Sequence, residues 1–169
     1  YPTTGTTLPL VSDLKKAPKL IWLDAGLVNY AAGIQREYLL SKDLNDVWRG
    51  MAAEQIVAQE LKTLSNDVGQ KRHFWVRAKR SSSEVDFVYL YDGMVIPIEV
   101  KSGHNAHLKS LHQFMNETPH DVAVRVWSGS YSVDEVSTAE GKRFHLVNLP
   151  FYMVGMLKEI LEKCMTKWG

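Results

Sequence analysis

The clearest alternation of apolar and polar positions in the chain lies between residues 84 and 101. EVDFVYLY (84–91) has the two-residue period of a strand, and MVIPIEVK (94–101) has the β-branched composition of a partner strand. Asp92-Gly93 lies between these runs and is a strong signal for a two-residue turn. The pattern therefore predicts a β-hairpin, and further strands are predicted at 72–78, 121–127 and 143–149. Residues 19–24 are predicted to form a short buried strand or an extended segment.

Apolar residues at helical spacing predict helices at 25–34, 46–64, 106–117 and 151–165. Asp24 is placed to cap the first helix, and Pro150 to start the last. Because a lone buried charge is unfavourable, an acidic residue on an apolar helix face either lies at its edge, beside water or a basic side chain, or has a function. Glu54 is such a residue, on a predicted core face formed by Val47, Met51, Ala58 and Leu61.

Length and composition indicate one soluble domain. We expect it at 19–169, preceded at 1–18 by a linker or arm left from a longer protein. The apolar content of 45% is ordinary, and no apolar run approaches the roughly 20 residues of a membrane span. The single cysteine, Cys164, excludes an internal disulfide and fits a reducing compartment, so we expect a cytoplasmic protein. The signature GxxxxGK[ST] is absent, so any ATPase module lies outside this chain.

The turn also sets which residues of the predicted hairpin face each other. With residues 92–93 in the loop, Asp86 opposes Glu99 in a non-hydrogen-bonded pair, where Cα atoms are roughly 4.5 Å apart. Glu84 opposes Lys101 on the same face. The other face is the predicted core face and consists of Val85, Phe87, Tyr89, Ile96, Ile98 and Val100.

Two opposed carboxylates repel each other, which weakens a sheet unless a cation or a shared proton compensates. A hard divalent ion is the natural compensation because Mg²⁺ prefers oxygen ligands, and without it at least one carboxylate should have a raised pKa. Asp86 and Glu99 are therefore candidate metal ligands, with Lys101 beside them. The alternative is a solvated sheet face on which Glu84 and Lys101 form an ordinary cross-strand pair.

In order and spacing, Glu54 on a helix, Asp86 on one strand and Glu99-x-Lys101 on the next resemble the PD-(D/E)XK, or restriction-endonuclease-like, superfamily. More closely, the chain resembles the C-terminal domain of unknown function that follows the ATPase module in prokaryotic AAA-type ATPases. The segments that carry this resemblance are KLIWLDAGL (19–27), GMAAE (50–54), SSSEVDFVY (81–89), IPIEVKSG (96–103) and HLVNLPFYM (145–153).

The resemblance implies an α/β fold with a mixed central β-sheet flanked by helices and a metal site where the hairpin strands separate. It implies that Asp86 and Glu99 bind Mg²⁺ or Mn²⁺ directly, together with the carbonyl of Val100. Glu54 would be a further ligand, directly or through water. Lys101 would orient or activate the attacking water and stabilise charge on the phosphate. The implied partner in the same protein is an N-terminal ATPase module.

A basic run before the hairpin is a candidate phosphate-binding surface. Because the net charge is only +1, attraction to nucleic acid would have to come from such a local patch. The alternative is a strand with one basic, solvated face. His104, His107 and His112 are spaced too loosely for a clear zinc site and fit polar surface or phosphate-contacting groups better. The candidate nucleic-acid-binding residues are Arg77, Lys79, Arg80, Lys109 and Gln113.

The sequence thus favours a metal-dependent nuclease domain that hydrolyses phosphodiester bonds, with DNA favoured over RNA as the substrate. One alternative is a non-catalytic nucleic-acid-binding or regulatory domain of the ATPase. Another is a mainly structural interaction domain. The ligand set separates these classes only in part, because a metal-binding constellation can persist without turnover.

Overall fold

The computed structural model describes residues 1–33, 46–65, 71–78, 83–102 and 107–168, and in the second helix it describes side chains from residue 50 onward. No helix in these ranges is both long and apolar enough to cross a bilayer. In chain order the elements are β1 (Pro2–Thr3), α1 (Ala25–Ala31), α2 (Asp46–Thr63), β2 (His73–Val76), β3 (Glu84–Tyr91), β4 (Met94–Lys101), α3 (Lys109–Glu117), β5 (Val122–Trp127), β6 (Ser132–Ser137), β7 (Arg143–Pro150), a 3₁₀ segment (Phe151–Met156) and α4 (Leu157–Trp168).

The seven strands of these ranges form one mixed sheet in the order β1-β2-β3-β4-β5-β7-β6. The pairs β1–β2, β4–β5 and β5–β7 are parallel, whereas β2–β3, β3–β4 and β6–β7 are antiparallel. With four helices flanking this sheet, the predicted α/β fold with a mixed central sheet is confirmed.

Hydrophobic cores cover both faces of the sheet. One core joins Val57 of α2 and Leu161 of α4 to Ile98 of β4. The other joins Phe114 of α3 to Trp75 of β2, whose rings meet edge to face with centroids 5.4 Å apart. Burial on both faces explains why β4 is a nearly continuous apolar run. It also makes the central strands rigid supports for side chains at their ends.

The β3–β4 hairpin has the predicted turn and, over most of its length, the predicted register. Asp92 and Gly93 form the loop with φ of 46° and 74°, the left-handed values that a type I′ turn requires. The paired register runs from this loop as far as Phe87 and Ile98, as predicted.

A β-bulge changes the end of β3 that carries the acidic residues. Opposite β2 the register shifts by one residue, so that Asp86 and Phe87 together face Phe74. The shift reverses the alternation of side chains, and Val85 packs in the α3 core while Phe87 packs in the α2–α4 core. The prediction that Val85 shares a core face with Phe87 is therefore wrong, because strict two-residue alternation makes no allowance for an inserted residue.

The N-terminal segment settles one of the predicted alternatives. Residues 19–24, which we call the strap, belong to no strand and are not buried, since Leu20 and Leu23 are 77% and 82% exposed, so the buried strand is excluded and the extended segment stands. Asp24 caps α1 as predicted, with its Oδ1 accepting from the N–H of Leu27 at 2.9 Å. The expected linker or arm at 1–18 packs on the domain and supplies β1.

Two further predictions need correction. Met51 is 48% exposed and does not belong to the core face of α2, whereas Ala58 and Leu61 are buried as predicted. The side chain of Val47 lies outside the described residues. The sequence pattern did not predict β6, because this edge strand is largely exposed and polar and lacks the alternation that a half-buried strand shows.

Candidate metal centre

Acidic side chains from three elements meet near the bulged end of β3. β3 supplies Glu84 and Asp86, the end of β4 supplies Glu99, and α2 supplies Glu54. The two central carboxylates are largely removed from solvent, since Asp86 exposes 13% and Glu99 6% of the side chain. Burial of several carboxylates in one place is unfavourable unless cations or protons compensate them.

The ammonium group of Lys19, the first residue of the strap, lies among three of these carboxylates. Its Nζ is 2.6 Å from Oε1 of Glu84, 3.3 Å from Oε2 of Glu54 and 3.7 Å from Oδ1 of Asp86. Because one atom contacts all three, Glu54 on its helix and Asp86 on its strand approach the same point. The structure therefore brings these two predicted residues together.

Glu99 and Lys101 form a second ion pair beside the first, with 2.8 Å between Oε1 and Nζ. The other carboxylate oxygen of Glu99, Oε2, is buried and has no hydrogen-bond partner within the described part of the chain. The N–H of Val100 donates to Oδ2 of Asp86 at 2.8 Å, which ties the bulge of β3 to β4. Val100 thus lies at the site, with its N–H engaged by Asp86.

The pKa values of the two central carboxyl groups are raised. Burial, assisted by the charges of Glu99 and Glu54, raises the pKa of Asp86 to about 7, although the Val100 N–H and Lys19 act against this rise. Burial also raises the pKa of Glu99, against the lowering effect of Lys101. The predicted direction of the pKa shift is confirmed, whereas its largest cause is burial and not the repulsion between like charges from which it was predicted.

Both lysines are held in the ammonium form. Burial lowers the pKa of Lys101, but its hydrogen bond and charge interaction with Glu99 outweigh burial and raise it overall. Burial likewise lowers the pKa of Lys19, and its hydrogen bond to Glu84, with the charges of Glu54 and Asp86, raises it overall. Each lysine therefore acts as a fixed positive charge at neutral pH.

The oxygen atoms and the net charge of this cluster suit a hard divalent ion. Four carboxylates, from Glu54, Glu84, Asp86 and Glu99, contact two ammonium groups, which leaves an excess of two negative charges when all are ionised. The unpartnered Oε2 of Glu99 is a free oxygen donor of the kind that Mg²⁺ and Mn²⁺ bind.

The present side-chain arrangement, however, does not form a finished coordination sphere. Within the described ranges, no three His, Cys, Asp or Glu side chains are grouped closely enough to hold a metal ion. Lys19 and Lys101 each hold carboxylate oxygens that an ion would use. The residues fit the ion in their chemistry, and binding an ion would require at least one of these ion pairs to open.

An arginine–tryptophan pair next to the acidic residues was not predicted from the sequence. In the parallel register of β4 and β5, Arg125 is the partner of Glu99, and Trp127 is the partner of Lys101. In-register neighbours point to the same side of a sheet, with strands about 4.8 Å apart. The Cζ atom of Arg125 lies 4.1 Å from the centroid of the Trp127 ring.

This pair is held in place by the loop that follows β5. The indole N–H of Trp127 donates to the carbonyl of Ser130 at 3.1 Å, and a Cβ atom on Gly129 would collide with the Trp127 ring. The Nε of Arg125 is buried and has no hydrogen-bond partner among the described residues. The sequence feature that could have indicated the Arg125–Trp127 pair is the arginine that interrupts the apolar run of a central strand, VAVRVW (122–127).

The predicted nucleic-acid-binding residues have different surroundings. Arg77 forms an ion pair with Glu117, with 3.2 Å between its Nε and Oε1 of the carboxylate. Lys109 is exposed at the start of α3, and Gln113 is half-buried. Lys79, Arg80 and His104 lie outside the described residues.

The histidines that follow the hairpin do not support a zinc site in the described part of the chain. His112 packs edge to face on Phe144, with ring centroids 5.4 Å apart, and burial lowers its pKa. His107 is exposed.

These features define an α/β domain with a cluster of carboxylates and lysines at a bulged strand of a mixed sheet. The family model described as Domain of unknown function (DUF4143) matches residues 49–152, and the chain belongs to this family. The matched range includes Glu54, both strands of the hairpin and Arg125. Lys19 lies outside this range. No curated protein and no solved structure matches the chain.

Proposed function

We propose that this chain is a divalent-metal-dependent nuclease domain that hydrolyses phosphodiester bonds in nucleic acid. The observation that carries the proposal is the convergence of Glu54, Asp86 and Glu99 from a helix and two strands, with Lys101 paired to Glu99. Such a concentration of buried negative charge destabilises a metal-free fold, so its presence favours a role in binding a cation.

The carboxylates have distinct roles in this proposal. Asp86 and Glu99 would hold a Mg²⁺ or Mn²⁺ ion, with Glu54 and the carbonyl of Val100 as further ligands. When bound, the ion supplies polarisation of a phosphoryl oxygen and a lowered pKa of its bound water. The bond from the Val100 N–H engages Oδ2 of Asp86 and leaves Oδ1 as the oxygen that faces the ammonium group of Lys19.

Lys101 acts through its positive charge. Because Glu99 raises its pKa, Lys101 carries a proton at neutral pH and cannot take one from water. It would instead orient the attacking water and stabilise negative charge that develops on the phosphate in the transition state. Of the roles that the resemblance implies for Lys101, its environment favours orientation of the water and stabilisation of charge over activation of the water.

The substrate in this proposal is nucleic acid, with DNA favoured over RNA. Arg125, stacked on Trp127 beside Glu99 and Lys101, is suited to contact a phosphate next to the one that is cleaved. The other proposed contacts are Arg77, Lys79, Arg80, Lys109 and Gln113. We further propose that the domain follows an AAA-type ATPase module in a cytoplasmic protein.

The test is a cleavage assay on single- and double-stranded DNA and RNA with Mg²⁺, Mn²⁺ or EDTA. We expect cleavage with either ion and none with EDTA or in Glu99→Gln. Glu84→Gln is the matched control because Glu84 contacts Lys19 without being a proposed ligand, and it should retain cleavage. Absence of cleavage of every substrate with every ion would contradict the nuclease proposal.

A second candidate is a non-catalytic nucleic-acid-binding or regulatory domain of the same ATPase. The observation that favours it is that ammonium groups already engage the carboxylates, with no finished coordination sphere among the described side chains. This candidate predicts that the chain binds nucleic acid with equal affinity with and without a divalent ion and never cleaves it.

A further inference from the structure

The strap contacts the acidic residues through the ammonium group of Lys19. The Nζ atom of Lys19 lies within 3.7 Å of carboxylate oxygens from Glu54, Glu84 and Asp86. Two of these three, Glu54 and Asp86, are proposed ligands of the divalent ion. A cation from the chain itself therefore lies against the oxygens that the ion needs.

The strap is fastened to α2 at a fixed position. The side-chain amide of Gln55 donates from Nε2 to the carbonyl of Trp22 at 2.7 Å and accepts from its N–H, through Oε1, at 3.1 Å. Gln59, one turn further along α2, donates to the carbonyl of Leu23. The Gln55 amide thus pairs with the backbone of Trp22 as a neighbouring strand would, through one donated and one accepted hydrogen bond. This fastening determines the position from which Lys19 reaches the acidic residues.

The remaining environment of Lys19 also favours a cation there. Its ammonium lies 5.0 Å from the centroid of the Phe74 ring, which adds an attractive contact with the aromatic face. Phe74 is the residue that the bulge of β3 faces. The bulge, the aromatic ring and the strap thus converge on one cation position, and Lys19 fills it.

A carboxylate oxygen cannot lie in full contact with both an ammonium group and a metal ion without bringing two positive charges together. At about 4 Å, two like unit charges near a protein surface repel strongly enough to change an affinity by more than about tenfold. We propose that Lys19 is a built-in counter-cation that competes with the divalent ion for Glu54 and Asp86, so that metal binding displaces its ammonium group. This inference rests on the metal site in the proposed function.

The test measures Mn²⁺ binding rather than catalysis. Free Mn²⁺ is followed by EPR spectroscopy during titration of the 169-residue chain and three variants. Lys19→Met removes the competing cation and keeps the apolar stem. Gln55→Leu removes the two bonds to Trp22 and leaves Lys19 intact. Lys16→Met removes an exposed lysine three residues away and is the matched control.

Competition predicts a definite order of Mn²⁺ affinities. Lys19→Met should bind Mn²⁺ at least about tenfold more tightly than wild type, since a repulsion of 1.4 kcal/mol already corresponds to tenfold. Gln55→Leu should bind more tightly than wild type by a smaller factor, and Lys16→Met should equal wild type. Tighter Mn²⁺ binding by Gln55→Leu, in which no charge is removed, would show that the position of the strap controls the competition.

Thermal melting supplies a second, independent readout. Without a divalent ion, Lys19→Met should melt at a lower temperature than wild type because the carboxylates lose their counter-charge. With saturating Mn²⁺ this difference should shrink, since the ion replaces the lysine. A folded Lys19→Met variant whose melting temperature stays equally far below that of wild type at saturating Mn²⁺ would contradict competition.

The outcomes separate the inference from the proposed function. Equal Mn²⁺ affinity in wild type and Lys19→Met, or weaker binding in the variant, would overturn the competition and leave the metal site standing. Failure of all four proteins to bind Mn²⁺ would overturn the metal site itself, and the inference with it.

Discussion

The N–H of Val100 donates a 2.8 Å hydrogen bond to Oδ2 of Asp86, directly beyond the last paired residues of the β3–β4 hairpin. This bond divides the two oxygens of the carboxylate between two tasks. Oδ2 holds the bulge of β3 against β4, and Oδ1 faces the ammonium group of Lys19 at 3.7 Å. The side chain of Asp86 thereby links the bulge of β3 to the cluster of carboxylates and lysines.

Asp86→Asn should abolish stabilisation by a divalent ion. In wild type, Mn²⁺ at 100 times its dissociation constant should raise the free energy of unfolding by about 2.7 kcal/mol, because it binds the native state alone. The asparagine keeps an oxygen that can accept from the Val100 N–H but loses the charge. Melting temperatures with and without Mn²⁺ measure the effect, with Glu84→Gln as a control that should keep the gain. An equal gain in wild type and Asp86→Asn would show that Asp86 is not a ligand.

The metal-free protein should lose stability as pH rises from about 4 to about 7. The folded-state pKa of Asp86, about 7, lies above the ordinary value of 3.8, so the folded state holds this proton more tightly than the unfolded state does. The stabilisation that comes from this bound proton is complete below the pKa of Asp86 in the unfolded state. It is lost as pH rises through the pKa of Asp86 in the folded state. Urea unfolding in EDTA at about pH 5 and about pH 8 measures it.

The comparison with Asp86→Asn isolates this effect from other titrations. Burial lowers the pKa values of His73 and His120, which makes stability fall as pH decreases, in both proteins alike. The difference in unfolding free energy between wild type and variant should therefore shift in favour of the variant as pH rises. Parallel pH profiles for the two proteins would contradict the assignment of this proton to Asp86.

Lys101→Met should separate cleavage from binding. Loss of one charge that acts on the transition state costs about 10²–10³ in rate at comparable sites, whereas one lysine among several basic groups adds little affinity. Single-turnover cleavage and fluorescence anisotropy with a labelled oligonucleotide measure the two effects. Lys109→Met, an exposed lysine at the start of α3, is the control and should affect binding more than the cleavage rate. A parallel loss of binding and cleavage in Lys101→Met would place Lys101 in the binding surface instead.

Arg125→Met should weaken nucleic-acid binding and reduce the slope of log affinity against log salt by about one, as expected for one lost phosphate contact. Gly129→Ala should have a smaller effect in the same direction, because the added methyl group displaces the Trp127 ring on which Arg125 stacks. Arg143→Met is the matched control, since Arg143 is 77% exposed and paired with Glu135. Salt titrations in EDTA measure the slopes. Unchanged slopes in both variants would move the phosphate contacts away from Arg125.

The sequence predicted the parts of the fold that local chemistry determines. Asp92-Gly93 fixed the turn, and the turn fixed the register as far as Phe87, the neighbour of Asp86. The charge of Glu99 contributes to the raised pKa of Asp86, although the paired register does not extend to these two residues. The bulge was missed because its cause is the pairing with β2, and nothing within EVDF (84–87) marks an inserted residue.

Lys19 was missed for a different physical reason. Its three partners lie far along the chain, with 35 residues separating it from Glu54, and no short-range pattern reports such a contact. The apolar residues LIW (20–22) left open a buried strand or an extended segment, and the strap is held by bonds from the Trp22 backbone to the Gln55 side chain rather than by burial in a sheet. An amphipathic pattern in a sequence indicates which side chains are buried. A backbone segment that is held by hydrogen bonds to side chains leaves no such periodic pattern.

The most direct test of the metal centre is an anomalous difference map from crystals of the chain soaked in Mn²⁺, recorded near the manganese absorption edge. The account predicts one strong peak between the carboxylates of Asp86 and Glu99, with oxygen ligands at about 2.0–2.3 Å and the ammonium group of Lys19 displaced from Asp86. The absence of a peak at saturating Mn²⁺, or a peak on other residues with Lys19 still among the three carboxylates, would contradict it.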